Sequence, residues 1–242
     1  MGISCFAGDL WQAGSVVIER AMGDEGGYAC LANAHVLVSA KHSEAVSASL
    51  NKAWLVFPDG APVAWMQRRH GVTAARRIGG ADLMALVCVE GADVGLRHFL
   101  LGASSEVLSR LRTSLERASP GISVCGMYSP TRAEVQSRDR GVIRRVAEAQ
   151  PHIVWCAFGA PRQELWMADE AARLSPAIAI GVGAAFGFLS GAQSRAPEWM
   201  QTAGLEWAHR LAHEPRRLTW RYLRTNSEFA VRAVAELTAG RQ

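Results

Sequence analysis

The 242-residue sequence contains no Cys-x-x-Cys pair, no His-Glu-x-x-His or His-x-His run, and no cluster of cysteine with histidine. These absences remove the usual zinc ligand sets and the metalloprotease helix. The five cysteines (Cys5, Cys30, Cys88, Cys125 and Cys156) are odd in number, scattered and mostly set inside apolar runs. Such usage predicts reduced core thiols in a cytosolic protein. The histidines (His35, His42, His70, His98, His152, His209 and His213) are equally dispersed. His209 and His213 share an i,i+4 face, but the arginines around them disfavour a metal. No Gly-x-x-x-x-Gly-Lys loop occurs, and no Gly-x-Gly-x-x-Gly follows the first expected strand. P-loop nucleotide hydrolysis and standard dinucleotide binding are both disfavoured.

Targeting signals are missing too. The opening MGISCFAG lacks a basic region followed by a long apolar stretch, so no signal peptide is expected. Phe6 stands where a myristoylation site needs Ser or Thr. The longest uncharged stretch, from Ser175 to Arg195, approaches a membrane span in length. Its repeated glycines and Pro176 fit a buried strand followed by a glycine-rich loop better than a spanning helix. There is no low-complexity segment and no internal repeat.

What is present is a chain with 49% hydrophobic residues, enough to bury the core of one domain with a small appendage. We divide it into a core over residues 1–205 and a basic amphipathic appendage over residues 206–242. Residues 209–242 hold seven arginines against three glutamates, so the whole net charge of +4 resides there. A local basic end points to phosphate or an anionic membrane surface.

Short apolar runs with β-formers recur at 28–31, 53–57, 97–102, 122–126, 152–159 and 177–183. Helical patterns lie between them at 34–51, 61–70, 80–90, 104–118, 133–149 and 161–174. That alternation predicts an α/β fold: a Rossmann-like parallel sheet with helices on both faces, plus a C-terminal helical appendage. Ligands of such sheets bind beyond the carboxyl ends of the strands. The residues leaving those ends are therefore the candidates: Asn33-Ala34-His35, Pro58-Asp59-Gly60, Gly102-Ala103-Ser104, Gly126 through Pro130, Gly159 through Glu164, and Gly183 onward. Pro-Asp-Gly alone is ordinary turn chemistry, and Asn33 an ordinary helix cap. Collectively, glycines along one sheet edge let backbone N–H groups approach a phosphate-bearing ligand.

The blocks AxxxNAHVLVSA, FPDGAPVAW, RRIGGADL, FLLG, FGAPRQELW, GVGAAFGFLSG, SRAPEWM, GLEWAHRL and EPRRLTWRYL follow one another in this order. Together they resemble the WecG/TagA/CpsF family of bacterial glycosyltransferases over about residues 28–229. The resemblance implies an inverting, metal-independent transferase without a cofactor. It would move a hexose, glucose by likeness to the xanthan-type branch, from a UDP-sugar to a polyprenyl-diphosphate-linked sugar in exopolysaccharide or cell-surface glycan assembly. Alternatives are an N-acetylmannosamine-type or uronic-acid transferase, or a non-catalytic nucleotide- or phospholipid-binding module. Placement on the cytoplasmic side, peripheral to the inner face of the cell membrane, is implied as well. Nucleic acid is not an expected partner, and a homo-oligomer is left open.

By the same resemblance Asp59 is the base that deprotonates the acceptor hydroxyl, and Gln163 is a second catalytic residue. Asn33, Gly60, Arg77, Gly102, Gly159, Arg195, Arg210, Arg217 and Arg221 are the substrate-binding set. Arg77 also reads as a solvated surface charge, and Arg195 as half of a structural ion pair. No Asp-x-Asp triplet is present to hold a divalent ion, so arginines and backbone dipoles must meet the charge building on departing UDP. Two positions depart from the family pattern: Leu31 replaces a frequent Thr, and Gly187 replaces a frequent Asp. Both weigh against N-acetylmannosamine-type donors.

Overall fold

A computed structural model describes residues 2–213, 215, 219, 225 and 227–229. Arg217 and Arg221 lie outside the described residues. The chain opens with α1 (Leu10–Met22) and β1 (Gly27–Ala32), followed by α2 (Ala34–His42), α3 (Glu44–Lys52) and β2 (Leu55–Pro58). Next come α4 (Ala61–Arg69), α5 (Gly80–Glu90), β3 (Arg97–Gly102), α6 (Ser105–Ala118) and β4 (Ser123–Tyr128). Then α7 (Arg132–Ser137), α8 (Arg140–Glu148), β5 (Ile153–Ala157) and α9 (Arg162–Glu170) lead to β6 (Ile178–Gly181). Finally α10 (Ala185–Leu189), α11 (Glu198–Thr202) and α12 (Glu206–His213) follow.

All six expected strands form, and they pair in parallel in the order β2-β1-β6-β5-β3-β4. Strand side chains alternate between faces. Tyr28, Cys30 and Ala32 of β1 join Val154 and Cys156 of β5 on one face, under Val46 and Leu50 of α3 and Trp166 of α9. Ala29 and Leu31 join Ile153, Trp155 and Ile180 on the other, under Val17 of α1, Leu83 and Val87 of α5 and Leu111 of α6. Helices cover both faces, which is why the strands read as continuous apolar runs.

The boundaries differ where local caps outweigh periodicity. The 34–51 pattern breaks at Ser43, whose extended backbone (φ −140°) ends α2 and whose hydroxyl accepts from Val46 N–H at the start of α3. The 133–149 pattern breaks at Arg138, which is left-handed (φ 55°), and restarts with Asp139 as N-cap. No element was expected before residue 27, yet α1 is there, opened by a capping box between Asp9 and Gln12.

β2 is an edge strand, so the missing N–H of Pro58 breaks no ladder bond. Its outer edge is covered: Phe6 N–H donates to Val56 O (2.8 Å) and Ile78 N–H to Pro58 O (2.9 Å). Some of the described tail residues dock on the core. Phe229 is buried among the core apolar residues, and Glu228 meets His42 at 2.8 Å. No described helix is long and apolar enough to cross a membrane.

Candidate active site

Parallel strands bring all six carboxyl ends to one edge, where a cavity of about 1340 Å³ opens. Asn33, Asp59, Gly60, Arg77, Gly159, Gln163, Arg195 and Arg210 line it. Gly102 does not, although its neighbour Ala103 does. The glycine has another use: at φ +113°, a Cβ there would sit 2.8 Å from the Ala157 carbonyl oxygen of β5.

Asp59 is fixed by its backbone. Its N–H donates to Ala32 O (3.0 Å), extending the β1–β2 ladder by one bond, while Ile78 holds the preceding carbonyl. Gly60 then turns at φ +108°, a left-handed conformation that favours glycine, and serves as N-cap of α4. The Asp59 carboxyl is half-buried, and the Asn33 side chain beside it lowers its proton affinity. Asn33 has its own constraint. Its oxygen Oδ1 accepts from Val36 N–H (3.1 Å), capping α2, which leaves the amide nitrogen to face the acid.

Burial pushes the Asp59 carboxyl above its ordinary value. Arg77 opposes that shift, Glu206 adds to it, and Arg210 and Asn33 oppose it more weakly. Arg77 is no solvated surface charge: it pairs with Glu206 on α12 and is mostly buried. Arg195 pairs with Asp82 of α5 at 2.6 Å, the ion-pair alternative, while still lining the cavity. Arg210 lies over the Phe188 ring, 5.7 Å from its centroid. Glycine makes the Arg77 arrangement possible, since a Cβ on Gly79 would stand 2.6 Å from Asp82 Oδ2 and 3.0 Å from Arg77 Nη2.

The chain belongs to the WecG/TagA/CpsF family of glycosyl transferases. The family model matches residues 1–242. Two relatives are each named N-acetylglucosaminyldiphosphoundecaprenol N-acetyl-beta-D-mannosaminyltransferase. One, from Bacillus spizizenii, is 30% identical over 198 residues, covering 82% of this chain and 75% of that protein. The other, from Bacillus subtilis, is 30% identical over 187 residues, covering 77% and 71%.

In this WecG/TagA/CpsF member the β5 exit turns through Gly159 (φ +77°) and a cis Ala160–Pro161 bond into α9. Gln163 is buried there, and its Nε2 donates to Glu164 Oε1 at 3.0 Å. Glu164 stood in the strand-exit run picked from sequence without a role, and two further residues that shape this edge, Asp82 and Glu206, were passed over. Charged residues at helix starts ordinarily face solvent, and nothing in the spacing of single acids shows which are buried. Position within the RRIGGADL, GAPRQE and GLEWAH blocks was the available signal. The space at Gly187 is filled from elsewhere, because a Cβ there would lie 2.7 Å from the Gln193 side chain.

Proposed function

We propose that this glycosyltransferase moves a sugar, with inversion and without a metal ion, from a UDP-sugar to a sugar carried on a polyprenyl diphosphate. Asp59 carries the reading. It is a backbone-fixed carboxylate at a strand exit, made more basic by burial, on the wall of the cavity that also holds Arg77 and Arg210. A base of raised affinity for protons takes the acceptor hydroxyl proton as the new bond forms. The arginines meet the negative charge growing on the leaving diphosphate. The cavity volume of about 1340 Å³ exceeds the roughly 300–1,000 Å³ usual for one ligand, as a two-substrate reaction needs.

For the donor, the names of the two Bacillus relatives put N-acetylmannosamine ahead of the glucose expected from sequence. Neither relative supports glucose. The hexose donor stays as the second reading because Leu31 and Gly187, the departures from the family pattern, both line the cavity. The lipid-linked acceptor would bring the enzyme to the inner face of the membrane, with residues 206–242 as the basic appendage that docks there.

The test is a panel of UDP-N-acetylmannosamine, UDP-N-acetylglucosamine, UDP-glucose, UDP-galactose and UDP-glucuronate against short polyprenyl-diphosphate N-acetylglucosamine, with products weighed by mass spectrometry. One added N-acetylhexosamine is expected, at an unchanged rate in excess EDTA. UDP binding without any turnover across the panel would refute the transferase reading, and a strict Mg²⁺ requirement would refute its metal-free form.

A further inference from the structure

Glu164 is fully buried at the first turn of α9, and no cation pairs with it among the described residues. From the sheet, the thiols of Cys30 on β1 and Cys156 on β5 face it, and burial keeps both protonated. A buried acid without a counter-charge is costly, and an apolar side chain would pack there more cheaply. Among the described residues its Oε1 accepts from Gln163 and its Oε2 has no partner. Gln163 in turn is 3% exposed, and its amide lies against Gly181, where a Cβ would stand 2.9 Å from Nε2. Its Oε1 has no hydrogen-bond partner among the described residues, although the side chain lines the cavity. Two glycines, Gly181 at the end of β6 and Gly183 just beyond it, place no side chain of their own against that amide.

We propose that Glu164 is a positioning residue: by accepting from Gln163 Nε2, it fixes the amide so that Oε1 receives a hydroxyl or acetamido N–H of a bound sugar. An amide has one donor end and one acceptor end, so engaging the donor behind the wall presents the acceptor in front. Protonation of Glu164, favoured by burial, does not undo this, because one carboxyl oxygen still accepts. An acceptor oxygen backed by an acid repels phosphate, so this part of the cavity takes the neutral face of a sugar and not the diphosphate. The inference rests on the transferase reading and assigns the sugar contact within it.

The experiment uses the full chain and the donor and acceptor that the wild type turns over. Glu164→Ala and Gln163→Met should each weaken the sugar step by roughly 5- to 100-fold, the cost of an unpaired or lost hydrogen bond. A rise confined to the donor KM assigns the contact to the donor sugar, and one confined to the acceptor KM to the acceptor sugar. UDP affinity by calorimetry should stay within about twofold, because the loss of a neutral sugar contact spares the nucleotide. Glu164→Gln keeps a carbonyl acceptor and should restore the rate, and the double variant should be no worse than either single one. Where Glu164→Ala does not fold, Glu164→Met fills the volume and takes its place. Wild-type kinetics in Glu164→Ala, failure of Glu164→Gln to rescue, or additive losses in the double variant would each overturn the positioning role. Any of these would leave the turnover of the wild type, and so the transferase reading, standing.

Discussion

Two carboxyl–amide pairs stand at the same sheet edge, and their circumstances are opposite. At the β2 exit, Asn33 has its oxygen engaged by Val36 N–H and turns its nitrogen to Asp59. At the β5 exit, Gln163 has its nitrogen engaged by Glu164 and its oxygen unpartnered. Asp59 lies in the field of Arg77 and Arg210, whereas Glu164 faces neutral thiols. The same two functional groups are therefore expected to do different work. One pair offers a charged base to the cavity; the other offers a neutral carbonyl and hides its acid. What decides between them is the third partner of the amide and the nearness of cations.

The contrast can be broken most severely at Asp59. Asp59→Asn keeps the shape but removes the proton acceptor, and kcat should fall on the order of 100- to 10,000-fold. UDP affinity, measured by calorimetry, should be retained. Near-full turnover with saturating acceptor would end the catalytic assignment.

The hidden acid should show itself in stability. Burial raises Glu164 from its ordinary 4.5 to about 7, with the Gln163 bond opposing. A folded-state value above the unfolded one means that its stabilising contribution is complete below about 4.5 and is lost as pH rises through about 7. Wild type should lose roughly 3 kcal/mol across that window relative to Glu164→Gln, read from denaturant melts at several pH values. Parallel pH profiles of the two proteins would show that Glu164 ionises in the folded state as easily as in the unfolded chain.

Asn33 tests the other amide. Asn33→Ala loses both the α2 cap, worth about 0.5–2 kcal/mol, and the donor to Asp59, so turnover should fall roughly tenfold or more. Asn33→Asp restores the cap but not the donor, so it should recover melting temperature without recovering rate. The smallest effect is expected from Glu206→Gln. Glu206 raises the proton affinity of Asp59, so its removal should shift the acid limb of the rate profile to lower pH. A shift to higher pH would mean that loss of the Arg77 pairing dominates.

Much of this edge was open to sequence reasoning because it depends on periodicity and on residues at strand ends. Apolar runs located all six strands, and the parallel sheet then requires their exits to meet. The missed features are those in which one residue sets backbone direction or a side chain crosses between distant segments. Ser43 and Arg138 interrupt helices whose apolar spacing continues on both sides. Gly102 looked like a ligand-side glycine but answers to the Ala157 carbonyl. Arg77 with Glu206 is a contact across 129 residues, and no local pattern encodes it.

That ion pair limits how the protein can be shortened. Glu206 and Arg210 lie just beyond residue 205, and both act on the proton affinity of Asp59. A chain trimmed at Leu205 would keep every strand and most of the helices described above. It would also carry a different acid at position 59, one stripped of an anion and a cation, beside an Arg77 released from its partner. Kinetics recorded on such a fragment would describe a different catalyst housed in the same scaffold.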